Sequence, residues 1–196
     1  MKKQRWLIIL LVSLAGFAII YWFWPHGEKL PVLDKVEAFQ LDDVYGQGYE
    51  LSTEKIKLVA FFYTNCPDIC PLTMADFKVL QEQLKSQGLF GKKVELIAIT
   101  IDPEHDTAQI IKNYADSFGA DPAGWKWLRG NPKKTKEIAA NLQMQYQKLE
   151  GDFFAHSTTM FLIDKQNQIR ALYDMANQNK SIEKERIIKD IQLLTK

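Results

Sequence analysis

LVAFFYTNCPDICPLTMADF, residues 58–77, decides the fold. Leu58–Tyr63 is a continuous apolar run rich in aromatics, the pattern of a central strand buried on both faces. It breaks at Thr64-Asn65-Cys66-Pro67. Pro71 follows Cys70, and Leu72, Phe77, Leu80 and Leu84 then recur at helical spacing up to Gly88. Proline is well tolerated in a first helical turn. The two cysteines therefore sit where a buried strand gives way to a helix. A helix N-terminus favours negative charge and lowers thiol pKa. If the helix includes both cysteines, their i, i+4 spacing puts them on one face, close enough for a disulfide or a shared metal.

Downstream, the pattern alternates. Val94–Ile101 predicts a second central strand, closed by Asp102-Pro103. Asp106 or Thr107 can cap a helix through Phe118. Trp125–Leu128 predicts a short strand, and Asn131-Pro132 a helix to about Gln147. Thr158–Ile163 and Ile169–Tyr173 predict strands around the polar turn Asp164–Gln168, and Ser181–Leu194 a final helix. Upstream, Val36–Leu41 and Tyr49–Leu51 flank a turn with Gly46 and Gly48, a hairpin signal. This order predicts an α/β fold, a mixed sheet flanked by helices. With a cysteine pair at the first strand-to-helix junction, it is the thioredoxin-like plan.

The chain has 196 residues, 46% hydrophobic and 25% charged, with net charge +1. That is enough for one domain with a sizeable core. There is no basic stripe or recognition helix, which argues against a nucleic-acid partner. Two cysteines are too few for a disulfide-stapled scaffold and point to a redox pair, a metal site or both.

The N-terminus predicts a membrane anchor. Lys2, Lys3 and Arg5 precede an uncharged run from Trp6 to Trp24 that is about long enough to span a hydrocarbon core. Aromatics stand at both ends, and the basic flank belongs in the cytoplasm. The expected organisation is a basic flank and single transmembrane helix over 1–24, a linker over 25–35 and an extracytoplasmic domain over 36–196. A cleaved signal peptide is the rival reading, with Ser13-Leu14-Ala15 as a cleavage site; against it, the apolar run before that site is short and continues beyond it. His26 reads as a solvated linker residue.

His156, one of three histidines, lies just before the strand at Thr158. In a thioredoxin-like fold that strand's start lies beside the redox pair. Two thiolates and one imidazole form a soft, incomplete set. Structural zinc takes four protein ligands, whereas this set suits Cu(I), or Cu(II) with an added ligand. Asp68 reads either as a solvated or capping carboxylate or as a group that orients a ligand or shifts a thiol pKa. His105 reads as a turn residue or a transient copper contact, and Met74 as core or a soft ligand.

The stretch FFYTNCPDICPLTMADF resembles the signature of the Sco/SenC family of copper-dependent cytochrome c oxidase assembly proteins. Asp102-Pro-Glu-His-Asp-Thr107, WKWLRG at Trp125–Gly130 and HSTTMFLID at His156–Asp164 are similar to that family in order and spacing. The resemblance implies one copper per chain on Cys66, Cys70 and His156. It also implies a role in building the binuclear copper centre of oxidase subunit II, by donating copper, by reducing that subunit's cysteines, or both. The competing reading is a membrane-bound thiol–disulfide reductase served by an extracytoplasmic thiol reductant. Against it, the spacing is not C-x-x-C, and no proline stands near His156. Tyr63 occupies the position where a peroxiredoxin carries threonine.

Overall fold

The computed structural model describes residues 2–23, 29–46, 48–51, 54–151 and 153–195. Ile56–Phe62 forms β4, with every residue buried. Val94–Thr100 forms β5, equally buried, parallel to β4 from Ile56↔Val94 to Phe62↔Thr100. Trp125–Arg129 (β6) extends the parallel set. On the other side of β4, Thr159–Ile163 (β9) and Gln168–Asp174 (β10) run antiparallel. Asp34–Lys35 (β1) borders β10. Gln40–Asp43 (β2) and Gly48–Glu50 (β3) form a hairpin on β6, completing an eight-stranded mixed sheet in the order β1-β10-β9-β4-β5-β6-β2-β3. The helices are Ile69–Ser86 (α2), Ala108–Ser117 (α3), Pro132–Asn141 (α4) and Lys184–Thr195 (α5). The α2 stripe Met74, Phe77, Leu80 and Leu84 is fully buried, so Met74 is core.

Several expected boundaries move, and the final helix begins at Lys184 rather than Ser181. The first hairpin strand begins at Gln40, not Val36. Val36 and Phe39 are both buried, and a spacing of three cannot continue a strand's alternation. The helix expected to run to about Gln147 stops at Asn141. Gln143 adopts φ 53°. Its N–H donates to Ala140 O and the Met144 N–H to Ala139 O, the paired bonds of a Schellman ending. The chain so released forms Tyr146–Lys148 (β7), which pairs antiparallel with Phe154–His156 (β8) as a separate two-stranded arm. Sequence periodicity gave no sign of this arm.

Lys2–Phe23 is a 22-residue helix, α1. Side chains 7–10 and 18–20 of the apolar run, together with Trp24, Pro25, His26 and Gly27, lie outside the described residues. Among the described residues, no helix is long and apolar enough to cross a membrane. Leu30–Lys35, in the expected linker, lies against β10. Arg170 donates to Pro31 O at 3.0 Å and to Leu30 O, and pairs with Asp164 at 2.7 Å. The Leu33 N–H donates to Ile169 O.

Asp34, Ile169, Ile163 and Lys57 form one row across the sheet, at its end remote from the cysteines. Lys57 is fully buried, and its ammonium donates to Asn167 Oδ1 at 2.9 Å. Burial lowers its pKa to about 8, against the pull of Glu95 and Asp164. Because the folded pKa lies below the unfolded one, the unfolded chain binds more protons between these values, and stability rises with pH there. Relative to Lys57→Met, the wild type is expected to gain about 3 kcal/mol between roughly pH 8 and pH 10. Urea denaturation across that range checks this; a constant difference would show that the ammonium stays charged in the interior.

Candidate metal centre

β4 delivers Tyr63 and Thr64 to one pole of the sheet, where the chain turns. The Cys66 N–H donates to Tyr63 O at 3.2 Å. The helix begins only at Ile69, so Cys66 lies ahead of it and Cys70 in its first turn. The cysteines therefore approach through a capping arrangement, not as two residues on one helical face. The Cys66 sulfur accepts the Cys70 backbone N–H at 3.4 Å, a position a side-chain oxygen usually fills. Asp68 holds the N-cap position but makes no side-chain cap. Its carboxylate instead accepts from Gln178 at 3.2 Å. Its backbone N–H, not its carboxylate, addresses Cys66.

The two thiols are free and unequal. Cys70 is fully buried, and Cys66 is half-buried. Polar contact with the Cys70 thiol, then with the His156 imidazole, then with the backbone N–H groups of Asp68 and Cys70, lowers the Cys66 pKa to about 4 against its burial. The Cys70 thiol is pushed up, first by its bond to Cys66 and then by burial. The two shifts oppose one another: Cys66 is the thiol disposed to ionise and Cys70 the one disposed to keep its proton.

His156 closes β8, opposite Tyr146. Its Nδ1 lies 2.9 Å from Ser157 O. A carbonyl can only accept, so Nδ1 carries the proton and Nε2 is left to meet sulfur or metal. Burial pulls the His156 pKa down, but Cys66 and the Ser157 carbonyl outweigh it and leave the imidazole raised.

Asp106 fixes the loop from below. It is fully buried and accepts from the Thr64 N–H and hydroxyl and from the Thr100 hydroxyl. The helix cap passes to Thr107, whose hydroxyl accepts the Ile110 N–H. His105 reaches Asn65 at 3.4 Å and Asp106 at 3.3 Å, beside the loop rather than at the sulfurs. Sequence reasoning missed the roles of Asp106 and Tyr63. A carboxylate near a helix start reads as a cap, and a strand-end tyrosine reads as core.

The donor chemistry fits a soft metal: two sulfurs and an imidazole act on one another electrically at the same end of the sheet. Yet among the described residues, no three His, Cys, Asp or Glu side chains are already drawn together tightly enough to hold a metal ion. Closing the set requires Cys70 to lose its proton.

The family model described as SCO1/SenC matches residues 29–193. The chain belongs to the SCO1/SenC family. A copper-binding protein of Stutzerimonas stutzeri is 30% identical over 139 residues, 67% of this chain and 66% of its own length, a little under two thirds. The SCO1 homolog of Bacillus subtilis is 27% identical over 167 residues, 82% of this chain and 85% of its own. The crystal structure of Arabidopsis thaliana ScoI with copper bound superposes with a TM-score of 0.67 at 25% identity, covering 80% of this chain and 98% of that one. The thioredoxin-like architecture is thus that of this family.

Proposed function

We propose that the chain is a copper-binding, redox-sensitive assembly factor whose ligands are Cys66, Cys70 and His156. The observation that carries this is the convergence at the end of β4: the Cys66 sulfur accepts the Cys70 backbone N–H at 3.4 Å, and the His156 ring stands 6.2 Å from that of Tyr63, whose carbonyl accepts the Cys66 N–H. Such a set takes copper as cargo, as Cu(I) or Cu(II), one ion per chain. The copper-bound Arabidopsis relative supports the same reading. The destination we propose, from the family resemblance, is the binuclear copper centre of cytochrome c oxidase subunit II.

We further propose that α1 is a single-pass anchor, with the N-terminus in the cytoplasm and the domain outside. The uncharged run from Trp6 to Trp24 supports this. So do Trp6, Leu11, Val12, Leu14, Phe17 and Trp22, which stand exposed on several sides of the helix.

One observation favours a second reading. A lowered, half-buried Cys66 beside a buried, raised Cys70 is the division of labour of a thiol–disulfide reductase. Oxidase activity in a deletion strain separates the two. Copper delivery is expected to show as lost activity, restored by added copper and by wild-type chain, but not by Cys66→Ser or His156→Ala. A pure reductase is rescued by His156→Ala. Normal oxidase activity without the chain would overturn the assembly role.

A further inference from the structure

The end of the sheet remote from the cysteines is basic. The starts of β4 and β5 and the end of β9 lie side by side there. Lys57 stands opposite Ile163, Ile56 opposite Val94, and the Ile56 N–H donates to Lys93 O at 2.9 Å. Lys92 and Lys93 lead into β5, Lys165 follows β9, and all three are exposed. Strands spaced by about 4.8 Å put these lysines on one pole, roughly 10 Å apart across β4. Lys29, also exposed, joins them: with Leu30, Lys165, Leu193 and Leu194 it lines a cleft of about 310 Å³.

None of these four lysines pairs with a carboxylate among the described residues. The acids beside them are already engaged. Glu95 is taken by Lys55 at 2.7 Å and Asp121 by Lys85 at 2.8 Å. Asp164 accepts from Arg170 on one oxygen and from the Gln166 and Gln168 N–H groups on the other. Glu37 and Glu54 stay exposed, too few to cancel the lysines. Helices α2 and α5 end here, where Gln192 donates to Gln87 at 2.9 Å, but a helix end carries only about half a charge, which fades within one turn.

This local excess, on a chain of net charge +1, stands where the chain arrives from α1. Arg170 fastens Leu30 to the pole, and only residues 24–29 separate Leu30 from Phe23, the last residue of α1. Fully extended, that segment spans no more than about 25 Å.

We propose that this pole docks reversibly on an anionic bilayer surface, its lysines against the lipid phosphates and the cysteine end turned away. This rests on reading α1 as a membrane anchor. The short tether keeps the pole near the surface, and charge then decides whether it settles there. Each lysine close to an anionic surface contributes about fivefold to the docking equilibrium. Salt weakens such a contact, because the screening length falls from about 10 Å at 0.1 M to about 3 Å at 1 M.

The test is amide hydrogen exchange of the full chain in lipid nanodiscs, of phosphatidylcholine alone or with phosphatidylglycerol added. Peptides spanning 88–94 and 164–169 report the pole, and 102–107 the cysteine end. With the anionic lipid at low salt, the pole peptides are expected to exchange at least about fivefold more slowly than on the neutral disc, the effect of one lysine contact. The 102–107 peptide is expected to stay unchanged, and about 1 M salt to abolish the difference. Replacing Lys92→Gln, Lys93→Gln and Lys165→Gln together lowers docking by about a hundredfold, and the protection is expected to vanish. Lys133→Gln with Lys136→Gln, on α4 beyond the opposite end of β6, is expected to keep it. Pole peptides that exchange alike on both lipids, or that stay protected in the triple variant, would overturn the proposal. Equal protection by millimolar inorganic phosphate on the neutral disc would overturn it as well, by showing a site for free anions. Co-elution of the chain with neutral discs in about 1 M salt tests the anchor by itself. A chain that washes off there is not anchored, while salt-sensitive protection on the anionic disc still supports docking.

Discussion

Oxidising Cys66 and Cys70 to a disulfide is expected to abolish copper binding by the full chain. Metal takes the thiolate, not the thiol or the disulfide. One S–S bond therefore removes two of the three proposed donors and leaves His156, a single imidazole on an arm of two strands. The reduced chain is already halfway prepared, because Cys66 is held ionised by its neighbours. Only Cys70, buried and raised, must release a proton as metal enters. Metal analysis after desalting is expected to find one copper per reduced chain and essentially none per oxidised chain, with full recovery on re-reduction. Stoichiometric copper on the disulfide form would sink the mechanism.

His156→Ala is expected to cost more than about a hundredfold in Cu(II) affinity, beyond the range seen when a ligand's supporting partner is removed. The imidazole is pre-set for ligation, since the Ser157 carbonyl holds the proton on Nδ1 and leaves Nε2 open. The same substitution should shift the dithiol potential by no more than about 30 mV, a tenfold change for a two-electron couple. That limit follows because Cys66 keeps its larger stabilising partner, the Cys70 thiol, and its backbone N–H bonds. Chelator competition reads the first quantity and glutathione redox titration the second. Unchanged Cu(II) affinity and spectrum would exclude His156 as a ligand.

Much of this was legible in the sequence because local pattern and tertiary role agree. Leu58–Tyr63 reads as buried, and all of β4 is. The junction at Cys66 reads as a helix start, and Cys70 lies in the first turn of α2. His156 reads as a neighbour of the pair, and its ring stands 6.2 Å from that of Tyr63, whose carbonyl accepts the Cys66 N–H.

What was illegible depends on distant partners. Asp68 looks like the natural cap, but the Cys66 sulfur takes the amide while Gln178, 110 residues away, takes the carboxylate. Asp106 looks like a cap too, but Thr64, 42 residues upstream, claims it. The arm that carries His156 exists because Gln143 turns left-handed, a conformation that glycine or asparagine normally signals and glutamine does not. Lys57 extends the central strand by burying a charge, which no hydrophobic pattern announces.

The Arg170 grip on Leu30 and Pro31 has a consequence for reach. It fastens the incoming chain to the row that contains Lys57, whereas the thiols follow Tyr63 at the far end of the same strand. At about 3.3 Å per residue, the two ends of that strand are roughly 20 Å apart. With α1 held in a bilayer as proposed, the sheet acts as a mast. The chain then enters the domain at the end of the sheet opposite the thiols, so lengthening the segment before Leu30 is expected to extend the domain's reach without altering the site itself.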